Sequence, residues 1–204
     1  MSNSISSSEA LEQEEYPPPL PVVRVFLAAA SELEDLAEGD AKSESEDPMS
    51  LKDLRRYRQR QDCLVFSARQ VFPDQEEAFY SFPAGYLAFR SEKTETVIHS
   101  LNAFDPQSPS RRLKRGGIVW TYVLGRILDR IVLLPERFKA FLRPVVVLNV
   151  RESDLPLQLL LRDKGFLCTQ IRKKHFEDPP EDSYEFRFTR PTSSSTTPKE
   201  HDLP

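Results

Sequence analysis

Four basic residues and two glycines crowd into RRLKRGG, residues 111–117, directly ahead of a segment with helical periodicity. Arg111, Arg112, Lys114 and Arg115 supply positive charge, Gly116 and Gly117 let a backbone approach a ligand, and the first N–H groups of a helix point outward. That combination is an anion site in principle, and a pyrophosphate fits it. A solvated basic loop with a turn glycine accounts for the same spacing, so both readings stand. His99, in TVIHSLNAF, is a base by residue type, and a half-buried strand histidine with a backbone partner by position. Tyr184 and His175 are further groups able to exchange a proton. The run QIRKKHF mixes cations with aromatics, as an acidic-peptide or RNA site would, but also as an edge strand whose lysines discourage aggregation. No cluster of His, Cys and carboxylates has metal-ligand spacing, and no metal is expected.

The elements that must position these groups follow from pattern. Val22 to Ala30 is a strand, and Ser31 with Glu34 forms a capping box for the acidic helix SELEDLAEGD. Ser50 with Asp53 caps a second helix, SLKDLRRYRQRQ. Three consecutive strands follow, Cys63 to Val71, Ala84 to Arg90 and Thr96 to Phe104. After the basic loop, Trp120, Val123, Leu124, Ile127, Leu128 and Ile131 recur at three and four, giving a helix with one buried stripe. The β-rich run from Pro144 to Val150 then feeds a helix opened by Asp154, Leu155 and Pro156 and stopped at Gly165. Phe166 to Phe176 and Tyr184 to Phe188 are the last strands. The order is β-α-α-β-β-β-α-β-α-β-β. A doubly wound nucleotide fold would alternate strand and helix throughout, so the expectation is an α/β (mixed α+β) fold: a central mixed sheet with helices on both faces.

Composition bounds the rest. The 204 residues suffice for one domain with tails, taken as a disordered arm over 1–21, a folded domain over 22–189 and a disordered tail over 190–204. A net charge of -4 removes any whole-protein electrostatic argument for nucleic acid. No apolar run reaches the roughly 18 residues of a membrane span. The two cysteines, Cys63 and Cys168, lie in hydrophobic surroundings and read as buried free thiols of a reducing compartment, which places the chain in the cytoplasm. The oligomeric state is left open.

The element order, the RRLKRGG loop after Ala103, Phe104, Asp105 and Pro106, and the phrase VLNVRESDLPLQLLLRDKGF resemble the Gcn5-related N-acetyltransferases. Within them the phrase is most similar to the branch that acetylates ribosomal-protein alanine. The corresponding strings are Leu148 to Arg151, Ser153 and Asp154, Leu160 to Phe166, and Arg172 to Phe176. The resemblance implies acetyl-CoA held between splayed strands, Thr96 to Phe104 and Val145 to Val150. Its pyrophosphate would lie around Arg112 to Val119, hence on Arg112, Lys114, Arg115, Gly116, Gly117, Ile118 and Val119. Backbone groups near Ala103 and Phe104 would meet the pantetheine arm, and Asp154 stands where the family has a coenzyme-holding Asn.

The same resemblance exposes departures. Asn149 stands where the family carries a Glu base, and Leu161 where it carries a Tyr acid; neither side chain can transfer the proton. His99, beside the implied cleft, and Tyr184 are the remaining substitutes. Asp154 can cap its helix but repels phosphate. Branched Ile118 or Val119 occupies a position where close backbone approach is wanted. The implied function is acetyl-CoA-dependent transfer of an acetyl group to a protein or peptide amine, foremost an N-terminal amine. The alternative is a non-catalytic binding or regulatory module of the same fold.

Overall fold

The computed structural model describes residues 22–42, 48–71, 83–104, 114–130, 142–177 and 179–190. The arm over 1–21, the tail beyond Arg190, and Arg111, Arg112 and Ile131 lie outside them.

The element order is the one expected. Strand β1 (Val22–Leu27) and a 3-10 turn (Ala30–Glu32) lead into α1 (Leu33–Lys42) and α2 (Leu51–Gln59). Strands β2 (Cys63–Val71), β3 (Pro83–Ser91) and β4 (Glu95–Ala103) precede α3 (Ile118–Leu128). Strand β5 (Val145–Arg151), α4 (Leu155–Asp163), β6 (Leu167–Glu177) and β7 (Pro180–Thr189) complete it. They form a seven-stranded mixed sheet in the order β1-β2-β3-β4-β5-β7-β6. All neighbours are antiparallel except β4 and β5, which are parallel.

Local chemistry explains the ends. Ser50 Oγ accepts the Asp53 N–H at 3.2 Å, the cap expected for α2. The first helix starts earlier than Ser31 predicts: Glu32 turns back to accept the Ala29 N–H at 2.5 Å and also pairs with Arg69. Glu34 is drawn instead to Arg55 at 2.8 Å. Gly165, at φ 84°, ends α4 in the left-handed conformation that glycine adopts without strain.

Alternation along the strands divides the core between the two faces. On β3, Leu87 and Phe89 pack with Trp120, Val123, Leu124, Ile127 and Leu128 of α3 and with Leu157, Leu160 and Leu161 of α4. Tyr86 and Ala88 face Leu33 and Leu36 of α1 and Leu54 of α2. Each large side chain so buried contributes about 1.5–3 kcal/mol. Strand β6 is the sheet edge and is exposed along most of its length, as the QIRKKHF reading anticipated. Its position corrects one expectation: Cys63 is a buried free thiol, but Cys168, on this uncovered edge, is exposed.

Candidate active site

The site begins where β4 and β5 part. Their pairing runs from Glu95 with Val145 to Ile98 with Leu148 and ends there, although β4 continues to Ala103 and β5 to Arg151. At the parting point β4 carries a bulge: Phe89 pairs with Ile98 and Ala88 with Ser100, so His99 is the extra residue. Beyond it, one edge of β4 and one edge of β5 face each other unpaired. Phe104 N–H bonds back to Ala84 O on β3 at 2.7 Å. Since successive N–H groups in a strand alternate direction, the Ala103 N–H points into the gap, where Asn102 Oδ1 of the same strand takes it at 2.9 Å.

The basic loop closes one end. Lys114 is exposed; Gly116, at φ 76°, and Gly117 lead into α3. Gly117 is the N-cap and supplies no side-chain acceptor, and the first helical bond is Thr121 N–H to Gly117 O at 2.9 Å, so the first-turn donors have no partner within the helix. Ile118 is 74% exposed and Val119 half-buried, so the branched side chains turn away rather than filling the loop. Both glycines also have a packing reason. A Cβ on Gly116 would lie 3.0 Å from Pro156 Cβ, and one on Gly117 3.0 Å from the Lys114 carbonyl.

Asp154 does not stand as a lone charge. It caps α4 by accepting the Leu157 N–H at 3.3 Å, and Arg115 grips both its oxygens, one through Nε at 2.8 Å. Its repulsion of a phosphate is therefore offset, while Arg115 is engaged with a carboxylate. Between the start of α3 and α4 lies a groove of about 470 Å³ lined by Arg115, Gly116, Thr121, Leu155, Pro156 and Leu159 among others.

The proton-transfer candidates separate. Asn149, the first β5 residue past the last pair with β4, is half-buried; its Oδ1 accepts Ser183 Oγ at 3.4 Å. Its neighbours Leu148 and Val150 pack on the α3 and α4 side, so Asn149 faces the side carrying α1 and α2. His99 shares that side, its ring edge-on to Tyr57 of α2 with centroids 5.5 Å apart. His99 is exposed, yet protein crowds its ring enough to push its pKa below 6.5, first by desolvation and then through Arg90, with Glu92 opposing and Arg60 adding. It is a neutral imidazole at neutral pH. Tyr57 stays protonated, its pKa pushed up to about 12 chiefly by burial.

Tyr184 packs on the opposite face and donates to Glu152 Oε1 at 3.4 Å; the Glu152 charge raises its pKa. Leu161 is fully buried in the core, and His175 sits on the exposed edge strand against Phe176. The structure thus brings His99 and Asn149 to one opening and takes Tyr184 and Leu161 away from it.

Two buried carboxylates had escaped the sequence reading. Glu185, opposite Asn149 in register, is held by Arg172, by Arg187 Nε at 2.7 Å and by Thr169 Oγ1 at 3.4 Å. Burial pushes its pKa up, but Arg187 and Arg172 outweigh that and hold it below the ordinary carboxylate value. Neither its register against Asn149 nor its partners can be read from SYEFRF, because both depend on strands distant in sequence. Asp40, fully buried at the end of α1, accepts from Tyr86 Oη at 2.5 Å, Asn102 Nδ2 at 2.5 Å and Met49 N at 2.6 Å. Among the described residues no group of three or more His, Cys, Asp or Glu is placed to hold a metal ion, and no helix is long and apolar enough to cross a membrane.

The strand order, the parting of β4 from β5 and a helix N-terminus at the mouth of the gap define the fold of the Gcn5-related N-acetyltransferases. Solved structures bear this out. The ribosomal-protein-S18-alanine N-acetyltransferase of Escherichia coli superposes with a TM-score of 0.60 at 17% identity, over 86% of this chain and 98% of that one. Arabidopsis thaliana NAA60 in complex with acetyl-CoA gives 0.61 at 14% identity, over 82% and 99%. Ard1 from Thermoplasma volcanium gives 0.59 at 13% identity, over 83% and 99%. No family model and no curated protein matches the chain by sequence.

Proposed function

We propose that the protein binds acetyl-CoA in the gap between β4 and β5 and transfers the acetyl group to a protein or peptide amine, an N-terminal amine foremost. The observation that carries this reading is the unpaired stretch of β4 from His99 to Ala103 facing β5, next to the uncapped start of α3. An extended amide-bearing arm has strand edges to pair with there, and a diphosphate has the first-turn N–H groups of Ile118 and Val119 together with exposed Lys114. Arg112 belongs to the same proposal by sequence. The groove beside Leu155, Pro156 and Leu159 suits the remaining apolar surface of the coenzyme. The alanine acetyltransferase and the acetyl-CoA complex among the similar structures support the choice of donor and acceptor.

In this reading catalysis is mostly positioning, which alone is worth about 7 kcal/mol or more. His99, neutral and at the parting point of β4 and β5, takes the proton of the acceptor ammonium. Asn149 accepts a hydrogen bond there but no proton. The free state of both Cys63 and Cys168 suits a reducing, cytoplasmic setting.

A second reading, a non-catalytic binding or regulatory module, is favoured by two observations: Leu161 is sealed in the core, and Arg115 is committed to Asp154. Calorimetric titration with acetyl-CoA separates donor binding from its absence, and no heat at millimolar ligand ends the enzyme reading. Where acetyl-CoA binds, thiol release in the presence of N-terminal peptides decides between transfer and mere binding.

A further inference from the structure

Asp40 is an acidic residue in the last turn of α1, where the helix dipole disfavours negative charge, and it is fully buried. Donors from different parts of the fold compensate it, among them Tyr86 of β3, Met49 on the approach to α2, and Asn102 of the open arm of β4. Tyr86 Oη also lies 2.6 Å from Ser100 Oγ on that arm. Phe104, just past the arm, packs on Tyr86 with centroids 5.9 Å apart and leaves no room for a side chain on Gly39 of α1. The last turn of α1 is therefore locked onto β4 along the stretch that has left β5.

Asn102 is the member that reaches the gap. Its Nδ2 donates to Asp40 at 2.5 Å while its Oδ1 accepts the Ala103 N–H at 2.9 Å. Fixing the amide nitrogen on a buried carboxylate fixes which end of the side chain faces Ala103. We propose that Asp40 and Asn102 form a latch: Asn102 Oδ1 occupies the hydrogen-bonding position on β4 that an extended ligand in the gap would take, and Asp40 sets how firmly it does so. The ligand side of this inference rests on the acetyl-CoA reading; the latch itself does not. Binding of the coenzyme's amide-bearing arm exchanges the Asn102 contact for one from the ligand, so the latch sets affinity as a positioning device and takes no part in chemistry. Because Met49 is held by the same carboxylate, displacement of Asn102 is felt at the start of α2, beside the face on which His99 lies.

The test uses the full chain and two variants, Asn102→Ala and Asp40→Asn. Amide hydrogen exchange of the ligand-free proteins reads the latch: in Asn102→Ala the Ala103 amide exchanges about tenfold faster, while Phe104, bonded to Ala84, is unchanged and reports an intact strand. Calorimetry then reads its consequence, an acetyl-CoA Kd about fivefold tighter in Asn102→Ala, with a smaller change in the same direction in Asp40→Asn. Unaltered exchange at Ala103 overturns the latch. Faster exchange with an unchanged or weaker Kd overturns its role in admitting ligand. Failure of wild type and both variants to bind acetyl-CoA overturns the donor assignment, and with it the ligand part of the inference.

Discussion

Arg115 and Asp154, 39 residues apart, meet as a two-pronged ion pair that ties the loop before α3 to the N-cap of α4. The carboxylate is 3% exposed and the guanidinium 25%, so the pair is only partly screened by water.

Arg115→Ala strands the buried Asp154 carboxylate with the α4 cap as its remaining support, and the expected loss is about 1–3 kcal/mol in urea unfolding. Asp154→Asn keeps an oxygen for the Leu157 N–H, costs less, and releases Arg115 toward an anion. Its acetyl-CoA affinity should rise, and rise more at low salt than at high. Equal salt dependence in wild type and variant would show that Arg115 never faces the ligand.

His99 carries a pH signature in stability as well as in rate. Its folded pKa lies below the unfolded 6.5, so between the two values the unfolded chain binds more protons. Stability is full above 6.5 and declines as pH falls through that window, and His99→Gln removes this part of the decline. In the proposed transfer, the same substitution lowers kcat by about 10²-fold or more and abolishes the acid limb of the rate profile. A variant whose rate and pH profile match wild type would exclude His99 as the base.

Asn149→Glu and Leu161→Tyr are expected to behave oppositely. At 149 the new carboxylate lies in the opening, across from Glu185 and the two guanidiniums that hold it, which keep the new group ionised and able to take a proton; thiol release should rise. At 161 the ring and its hydroxyl are forced into a filled core, costing about 1–3 kcal/mol with no gain in rate. Urea unfolding and steady-state kinetics on the two single variants check this, and a fully stable Leu161→Tyr protein would reveal unfilled space beside α4.

Gly85→Ala should harm the protein more than Gly165→Ala. A Cβ at 85 would run into the Asn102 carbonyl oxygen, forcing β3 and β4 apart at the open arm. At 165 the nearest atom is 3.6 Å away, and the penalty is the left-handed backbone, roughly 1–2 kcal/mol. Thermal unfolding of both variants orders them, and acetyl-CoA affinity should fall only for the first.

The fold was legible because its signals are local. Ser50 with Asp53, Asp154 ahead of Leu157, and Gly165 each act within one helical turn, and the continuous apolar runs of β3 and β5 follow from burial on both faces. Of the site, the glycine loop and His99 were legible from residue type and position, whereas Asn149 and Asp154 were legible through the resemblance. Asp40 looks like any other acid in SELEDLAEGD, and only the approach of Tyr86, Asn102 and Met49 distinguishes it. Cys168 has apolar neighbours in sequence, but among the described residues no helix covers its strand. Glu32 replaced Glu34 at the first helix start because Arg69, distant in sequence, lies beside it.

The short parallel pairing of β4 with β5 divides the sheet into two plates joined along a brief seam. One plate is β1 to β4 with α1 and α2; the other is β5, β7 and β6 with α4. At its closed end Arg143 N–H bonds Thr96 Oγ1 at 2.8 Å, Arg143 Nε bonds Glu92 O at 2.9 Å, and Arg187 pairs with Glu95 at 3.1 Å. Held at that end by the seam, and bridged on the α3 side by the shared core and by Arg115 with Asp154, the two plates diverge from His99 and Asn149 onward. The depth of the opening is therefore set by where the pairing stops, at Ile98 and Leu148, and not by the loops at its rim.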